Sequence, residues 1–380
     1  MAIPFLKPLE QAIRRMLIGS RTFKGVMISS IKDAPILPSN ARILIIRPDK
    51  LGDMLITLPT IRAIREAYPQ AHIDLVAGKV NLPLRDQLLI YADECLLYDK
   101  TIKGILSLYF SLPKKKYDMA IDPLDNPSTT SGYLIAMSKA KFKVGLYKSN
   151  AHVYTHCIVP KDRATTHIVE RTAQILLACG INPEETQLDI PYVMDTSTAD
   201  QSKSQLQKAG LDISSPLIMI NIAGALEARV LKPETAIEWI RHIKHMADDA
   251  SIQIMICGEK KHEVALRRIA TETGIFLAPF VQSYHAFAGL LSGASMIISP
   301  DTSVLHLIAA WKIPCLALFV DDRSNTAIWT PYKSPHEYII TYSSSVNDIP
   351  IQEITSAFDR LAKRTMFNSI QVQISNALNR

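Results

Sequence analysis

Residues 42–68 read RILIIRPDKLGDMLITLPTIRAIREAY, and this stretch decides the fold class. Residues 42–46 consist of Arg42 and four aliphatic residues, a composition typical of a buried strand, and residues 53–68 carry apolar residues at helical spacing. Only the short loop at 47–53 separates the two. A strand followed at once by a helix is the repeating unit of a parallel sheet covered by helices.

The same alternation continues along the chain. It predicts further strands at residues 73–77, 118–122 and 142–145, with helices at 84–91, 131–138 and 167–179. A polar stretch with serines and prolines covers residues 181–215. The pattern then restarts, with strands at 217–222, 252–257, 296–299 and 315–320 and helices at 233–246, 260–273, 284–292 and 302–311. We therefore predict an α/β protein with two doubly wound, Rossmann-like domains that face a central cleft.

The length of 380 residues suits two domains. We place the first, acceptor-side domain at 41–190 and the second, nucleotide-side domain at 191–350. A helical tail follows over 351–380, and its return to the first domain is left open. Residues 1–40 form a basic N-terminal arm.

The arm holds most of the positive charge of the protein. Residues 1–42 carry seven cations and two acids, 7 − 2 = +5, out of a total of +6. Apolar residues at i, i+4, i+7 and i+8 form one helical face, made of Leu9, Ile13, Met16 and Leu17. Such a segment can lie on an anionic membrane or pack on the surface of the protein, and the sequence leaves both readings open.

Composition excludes several classes of protein. The five cysteines are widely spaced with no C-x-x-C pair, which argues against a disulfide framework and a structural zinc site and fits the cytoplasm. No apolar run reaches the roughly 18 residues that a membrane-spanning helix needs. Outside the arm the charge is nearly balanced, so we expect no nucleic-acid partner.

The loop at 47–53 contains one glycine, Gly52, and the chain has neither a G-x-G-x-x-G nor a Walker motif. An oxidoreductase that binds a dinucleotide is therefore the last of our candidates. We expect Gly52 to permit an unusual backbone turn and Asp53 to stand at the start of a helix. Asp53 is either a helix cap or a catalytic carboxylate at the sheet edge, and the two roles are compatible.

The loop at 299–306, SPDTSVLH, also joins a strand to a helix. The backbone amides of Thr302 and Ser303 at the positive helix end would bind a diphosphate. Asp301 can cap the helix or bind a hydroxyl. His306, one turn further on, is either a core histidine or part of the site.

A third loop, NIAGALEAR at residues 221–229, follows the first strand of the second domain. Gly224 and Ala225 allow a ligand to approach the backbone closely. Arg229 is a permanent cation that can reach a phosphate, although a loop arginine is usually only solvated.

Several motifs occur in the order found in one known family. They are RPDKLGDMLITLPTIRAIREAYP (47–69), YDMAID (117–122), HIVER (167–171), SPDTSVLHLIAA (299–310), a strand ending at Phe319 and WTPY (329–332). Together they resemble glycosyltransferase family 9, the heptosyltransferases of the lipopolysaccharide core. The resemblance covers about residues 42–345.

The resemblance implies a GT-B-like fold and inverting, metal-independent sugar transfer from a nucleotide sugar, with ADP-heptose as the expected donor. It implies that Asp53 is the general base and that Asp301, Thr302 and His306 belong to the donor motif. Arg229 stands where the family commonly has lysine. Glu263 matches a glutamate that binds the donor ribose.

The sequence departs from the family at the donor side. Ser303 stands where many members have glycine, and residues 229–231 (RVL) replace a common lysine–tryptophan segment. The identity of the donor sugar is therefore the least secure part of the assignment.

We accordingly predict an inverting glycosyltransferase without metal or other cofactor. It would act on a lipid A–core type acceptor at the cytoplasmic face of the inner membrane, which the arm would contact. Two alternatives stay open: a catalytically silent GT-B-like module that binds a glycolipid or a partner, and a nucleotide-sugar epimerase or hydrolase.

Overall fold

The computed structural model describes residues 22–248, 252–321 and 326–367. The chain divides into two compact units, Met1–Leu188 and Asp189–Arg380. Each unit is built on one all-parallel sheet covered by helices, so the predicted pair of doubly wound domains is confirmed. No helix among the described residues is both long and apolar enough to span a bilayer.

The first unit contains a seven-stranded sheet in the order β1-β7-β6-β5-β2-β3-β4. Its strands are β1 Val26–Ile28, β2 Arg42–Arg47, β3 His72–Gly78, β4 Glu94–Tyr98, β5 Met119–Asp122, β6 Phe142–Leu146 and β7 His156–Ile158. The predicted strand at 42–46 is the central strand β2, which pairs with β3 on one side and β5 on the other. Its apolar residues are fully buried.

Among the described residues of the first unit, five α-helices cover this sheet: α1 Leu51–Ala67, α2 Arg85–Leu88, α3 Ile102–Ser111, α4 Thr129–Ser138 and α5 Ile168–Ala173. Short 3₁₀ segments lie at Ile31–Asp33, Lys79–Leu84, Leu112–Lys115, Ala151–Val153 and Gln174–Cys179. Of the helix predicted at 84–91, only Arg85–Leu88 is α-helical; the 3₁₀ segment that precedes it ends at Leu84, and residues 89–91 form a turn. The helix predicted at 167–179 changes to 3₁₀ geometry after Ala173 and ends at Gly180, whose φ is +70°.

The second unit contains a six-stranded sheet in the order β10-β9-β8-β11-β12-β13. Its strands are β8 Leu217–Asn221, β9 Gln253–Cys257, β10 Phe276–Leu277, β11 Met296–Pro300, β12 Cys315–Val320 and β13 His336–Thr341. Its helices are α6 Thr196–Lys208, α7 Pro233–Asp248, α8 Glu263–Thr273, α9 Tyr284–Ser292, α10 Ser303–Ile308 and α11 Ile351–Ala362. Further short segments are 3₁₀ at Glu227–Arg229, Lys260–His262, Ala309–Trp311, Thr326–Trp329 and Val346–Asp348, and π-helical at Lys363–Phe367.

The start of the C-terminal tail belongs to the second unit. Helix α11 buries Ile354, Phe358 and Leu361 in the same apolar core as Trp239 of α7 and Ile339 of β13. Residues 368–380 lie outside the described part of the chain. A return of that remaining segment to the first domain stays a prediction.

The predicted boundary of the N-terminal arm at residue 40 is too far along the chain. Val26–Ile28 forms β1, an edge strand that pairs in parallel with β7. The next turn is fixed by Asp33, whose carboxylate accepts hydrogen bonds from the backbone amides of Ser29 and Ser30, both at 2.9 Å. Residues 22–40 are therefore part of the first unit. The predicted amphipathic face of the arm lies outside the described residues.

Candidate active site

Asp53 lies in the first turn of α1, directly after the central strand β2. The N-cap of this helix is Lys50, so Asp53 is its third residue and not the predicted cap. Gly52 lies in the same turn and is not among the described glycines with positive φ, so the predicted unusual turn there is wrong. A carboxylate in the first turn of a helix interacts favourably with the positive end of the helix dipole.

Arg47, the last residue of β2, contacts Asp53 in two ways. Its Nε donates a hydrogen bond to the Asp53 carbonyl oxygen at 3.0 Å, and its Nη2 lies 3.5 Å from Asp53 Oδ1. Arg47 is 3% exposed, and its guanidinium is always charged. Arg47, a buried permanent cation, therefore fixes the position of Asp53.

Asp49 is a second carboxylate beside the same arginine. Its Oδ1 lies 3.4 Å from Arg47 Nε but accepts no hydrogen bond within the described structure. Burial raises the pKa of Asp49 to about 6; Arg47 opposes this shift, and the nearby charge of Asp53 adds to it. The Arg47 guanidinium thus lies beside two carboxylates, those of Asp49 and Asp53. The charge of Asp49 changes near neutral pH.

The loop that carries these groups is anchored on β3. Asn81 is fully buried, and its side chain accepts a hydrogen bond from the Gly78 amide at 2.9 Å and donates one to the Lys50 carbonyl at 3.2 Å. Gly78 is required here, because a Cβ atom at that position would lie 2.2 Å from the Pro48 carbonyl oxygen. The backbone around Asp49 and Asp53 is therefore fixed by its neighbours in the sheet.

A buried polar network ends the adjacent strand β5. Asp122 is fully buried, and its Oδ2 accepts hydrogen bonds from Ser131 at 2.7 Å, Lys148 at 3.1 Å and Tyr154 at 2.5 Å. Burial and the Asp122 charge raise the pKa of Tyr154. The sequence motif YDMAID contains Asp122, but no role was predicted for this residue. The feature that could have indicated one is an aspartate at the end of an apolar run.

In the second unit the structure brings Arg229 and Asp301 together. Arg229 Nη1 lies 2.5 Å from Asp301 Oδ2, with side chains 13% and 20% exposed. Gly224 is buried against the Arg229 backbone: an added Cβ would lie 2.4 Å from the Arg229 carbonyl oxygen. Two loops predicted separately as donor-binding thus meet at one ion pair, whereas Ala225 beside them is exposed.

Thr302 is the N-cap of α10, so the cap role that the sequence allowed for Asp301 is wrong. Thr302 Oγ1 accepts a hydrogen bond from the Val304 amide at 3.2 Å. Ser303 Oγ lies 3.5 Å from the Tyr284 hydroxyl. His306 is 4% exposed, and its ring centroid lies 6.1 Å from that of Trp329.

Two residues that sequence analysis missed connect the ends of β8 and β11. Asn221 Nδ2 donates a hydrogen bond to Ser299 Oγ at 3.0 Å, and both side chains are buried. Asn221 Oδ1 also accepts a hydrogen bond from the Ala223 amide at 3.1 Å. This contact fixes the third loop relative to the SPDTS loop. The sequence feature that could have indicated this role is an asparagine at the end of an apolar strand.

Glu263 opens α8, at the end of the next strand along the sheet. Its Oε1 accepts hydrogen bonds from Arg267 Nε at 2.9 Å and Nη2 at 2.7 Å, and its side chain is 32% exposed. The structure therefore does not place Glu263 in direct contact with the Arg229–Asp301 pair. Its predicted contact with a ribose stays a prediction.

One group of potential metal ligands occurs among the described residues, at the opposite edge of the first sheet. Ligand atoms of His72, Asp74 and Glu94 lie within 4.8 Å of one another near the starts of β3 and β4. Lys115 Nζ lies 3.0 Å from Asp74 and 2.5 Å from Glu94, so an ammonium group already occupies the space between these carboxylates and offsets one of their two charges. This cluster is not part of the candidate active site.

Two all-parallel sheets with polar loops at their carboxyl ends define a GT-B-like α/β protein. The chain belongs to glycosyltransferase family 9 (heptosyltransferase), whose model matches residues 105–357. The family resemblance seen in the sequence is thereby confirmed. Asp53 lies before the matched range.

Individual relatives agree with this assignment. The chain is 24% identical to lipopolysaccharide heptosyltransferase 3 of Escherichia coli over 299 residues, covering 74% of this chain and 82% of that protein. The crystal structure of a family 9 glycosyltransferase from Veillonella parvula matches with a TM-score of 0.72 at 18% identity, over 87% of this chain and 99% of that one. E. coli heptosyltransferase WaaC with ADP-2-deoxy-2-fluoro heptose matches with a TM-score of 0.64 at 18% identity, over 84% and 99%.

Proposed function

We propose that this glycosyltransferase transfers heptose from ADP-heptose to a hydroxyl of a lipid-linked lipopolysaccharide core acceptor, with inversion at the anomeric carbon. The observation that carries the proposal is the arrangement of Arg47 and Asp53 in a chain of this family. The similarity to WaaC, solved with an ADP-heptose analogue, supports the choice of donor.

In the proposed reaction the acceptor hydroxyl attacks the anomeric carbon while its proton moves to Asp53. The bond from the anomeric carbon to the diphosphate oxygen breaks, and ADP leaves with the electron pair. Asp53 suits the role of base because the buried Arg47 and the first helical turn fix its position. A single displacement of this kind inverts the anomeric configuration.

The leaving diphosphate would be bound in the second unit. Arg229 supplies a permanent cation, and the start of α10 supplies backbone amides of Thr302 and Ser303. These residues, with Gly224 and Asp301, form the proposed donor site. His306 supports the same loop from within α10, and Glu263 would contact the ribose. In this scheme no step needs a metal ion.

The proposed reaction is tested with purified protein, ADP-heptose and a delipidated core acceptor. We expect a glycosylated product of inverted anomeric configuration by NMR, and turnover that EDTA does not change. Free heptose or an epimer formed without acceptor would instead identify a hydrolase or epimerase. Binding of the donor without turnover would identify a silent module.

The donor itself is tested by thermal unfolding. A ligand that binds only the native state raises the melting temperature in proportion to its saturation. We expect a larger shift with ADP-heptose than with UDP-sugars or GDP-sugars at equal concentration. A larger shift with either of the other nucleotides would reassign the donor.

We also propose that the basic arm binds the cytoplasmic face of the inner membrane. Because β1 begins at Val26, deletion of residues 1–21 removes the arm without removing a strand. We expect this deletion to weaken sedimentation with anionic liposomes at low salt and to leave the melting temperature unchanged. A lowered melting temperature with unchanged liposome binding would instead show that the arm packs on the protein. Deletion of residues 1–38 would not distinguish membrane binding from packing on the protein, because it also removes β1.

A further inference from the structure

Helix α3 carries two apolar faces, and only one of them is buried. Leu108 on this helix and Leu112 just after it are 4% and 0% exposed and belong to the core of the first unit. A second set lies at i, i+4, i+7 and i+8, which places its members on one side of the helix. This apolar face of α3 consists of Ile102 (80% exposed), Leu106 (48%), Tyr109 (52%) and Phe110 (60%).

The neighbouring helix carries another exposed aromatic residue. Tyr133 on α4 is 42% exposed, and α4 is a neighbour of α3. Single exposed apolar residues are ordinary, but several large ones on one helical face mark a surface that binds something apolar. The face therefore fits a partner that can accept aliphatic and aromatic side chains.

The segment of chain that carries the face is basic. Residues 99–116 contain five lysines and one acid, Asp99, which gives 5 − 1 = +4. Lys115 contacts Glu94 and Asp74, and Asp99 accepts hydrogen bonds from the backbone and side chain of Thr101. The other lysines of the segment are exposed at both ends of the helix: Lys100, Lys103, Lys114 and Lys116.

The backbone shows that some of these cations occupy sterically unfavourable positions. Lys100 and Lys116 have φ angles of +64° and +52°, and Lys139 at the end of α4 has +50°. This left-handed region favours glycine or asparagine over lysine. Lysine thus stands at both ends of the apolar face although other residues fit the backbone with less strain.

We propose that the apolar face of α3 docks on an anionic lipid bilayer. Apolar and aromatic side chains would enter the interfacial region while the lysines contact anionic headgroups. A helix of 10 residues is about 15 Å long, which is too short to span a bilayer but suits a position in the interface plane.

The position of the helix in the first unit fits this partner. Helix α3 follows β4, whose end is aligned through β3 with the end of β2. Its first residue, Ile102, is therefore near the sheet edge that carries Arg47 and Asp53. Docking through α3 would bring this edge towards the membrane surface. The proposal does not require the proposed glycosyl transfer, because vesicle binding is measured without donor or acceptor.

The test is flotation of the full-length protein with vesicles of phosphatidylcholine alone or of equal parts phosphatidylcholine and phosphatidylglycerol. We expect binding to the anionic vesicles that high salt weakens. Leu106→Ser with Phe110→Ser should reduce it by about tenfold or more, since apolar contacts are lost. Lys103→Glu should reduce it by at least fivefold. Unchanged melting temperatures are expected, because all three side chains are exposed.

Matched variants in the second unit provide the controls. Val264→Ser removes an apolar side chain that is 86% exposed, and Lys208→Glu reverses an exposed charge. Neither should change flotation. Equal losses in these controls, or no vesicle binding by the unaltered protein, would overturn the proposal. Loss of binding on reversal of Arg14 and Arg15, with no effect of the α3 variants, would assign membrane binding to the arm alone.

A second readout locates the face in the bilayer. In Phe110→Trp the new indole should shift its emission to shorter wavelength on anionic vesicles and be quenched by brominated acyl chains. Tyr342→Trp, at a position 85% exposed in the second unit, should show neither change. If the face instead joins two copies of the chain, sedimentation velocity would show a dimer that Phe110→Ser disrupts, and the lipid proposal would fail.

Discussion

Both units place an arginine against an aspartate at the end of a central strand, but the two pairs differ in how the arginine is fixed. Arg47 belongs to the strand itself, is 3% exposed and donates a hydrogen bond to the backbone of Asp53. Arg229 lies in a 3₁₀ turn beyond its strand, and the pair with Asp301 is more exposed to solvent, at 13% and 20%.

The difference indicates two kinds of site. A backbone hydrogen bond and burial fix Arg47, so we expect the first pair to keep its geometry when a ligand binds, as the proposed proton transfer requires. A diphosphate can replace the Asp301 carboxylate on Arg229, because both are anions that fit a guanidinium. Release of Asp301 would then free it for a sugar hydroxyl. We expect donor binding to change the second pair and leave the first unchanged.

The largest effect is expected when the Asp53 carboxylate is replaced by a neutral amide. Asp53→Asn should lower turnover at saturating acceptor by about 10² to 10⁴, the usual range for a general base, with donor affinity nearly unchanged. Steady-state kinetics with donor titration calorimetry measures both quantities. Asp86→Asn is the matched control, since Asp86 is also a first-turn aspartate but is exposed. A loss of less than tenfold in Asp53→Asn would reduce Asp53 to a structural residue.

The next largest effects are expected from substitutions in the Arg229–Asp301 pair. Arg229→Ala should weaken ADP binding by roughly 10- to 100-fold, since a charge-assisted contact is lost, and Arg229→Lys should retain most of the affinity. Asp301→Asn should leave ADP binding equal or stronger, because a competing anion is removed, while weakening binding of the nucleotide sugar. Calorimetry with both ligands separates these effects.

Asp200→Asn, at an exposed position in the same unit, should change neither affinity. Unchanged ADP affinity in Arg229→Ala would remove Arg229 from the donor site. Equal losses for ADP and nucleotide sugar in Asp301→Asn would show that Asp301 does not act through the sugar.

A smaller effect concerns the second carboxylate beside Arg47. Burial raises the pKa of Asp49 from 3.8 to about 6, so between these values the folded protein binds a proton that the unfolded chain does not. Its contribution to stability is present below pH 4 and is lost as pH rises to 6. Because its side chain is 29% exposed, solvent screens part of the shift. Between pH 4 and pH 7 the free energy of unfolding of Asp49→Asn should rise by about 1 to 2 kcal/mol relative to that of the unaltered protein.

Urea unfolding at a series of pH values measures this difference. Asp86→Asn again serves as the control and should show no such trend. A constant difference between Asp49→Asn and the unaltered protein across the range would mean that Asp49 does not titrate there.

The smallest effect is expected at a third arginine–carboxylate pair, Arg267 and Glu263, whose side chains are 63% and 32% exposed. Exposed pairs at i, i+4 contribute only about 0.3 to 0.5 kcal/mol, so Arg267→Gln should hardly change stability. If Glu263 contacts a ribose, Glu263→Gln should weaken binding of ADP more than binding of inorganic diphosphate. Equal effects on both ligands would exclude the ribose contact.

The sequence predicts the central strands well and the edge strands poorly. Residues of β2, β8 and β12 are buried on both faces and therefore form continuous apolar runs. Four of the missed strands, β1, β4, β10 and β13, lie at the edges of their sheets and are short or mix exposed or polar residues with apolar ones. The fifth, β7, lies next to the edge strand β1 and has only three residues. Helix α3 was missed for a related reason, since its two apolar faces obscure the amphipathic pattern.

Within the candidate site, sequence analysis found residues but not their partners. Asp53, Asp301 and Thr302 were found because they stand where a strand meets a helix. The pairs Arg47–Asp53 and Arg229–Asp301 depend on side-chain directions across loops, which spacing does not determine. Asn81 and Asp122 were missed because their roles come from neighbouring strands that are distant in sequence.

The short strand β1 has a consequence for how the protein is made. Val26 is paired with His156, which lies 156 − 26 = 130 residues later in the chain. During synthesis this edge of the sheet cannot form until β7 has left the ribosome, so it is completed after the central strands have been made. Strand β1 would therefore stay unpaired while the central strands of the first unit fold.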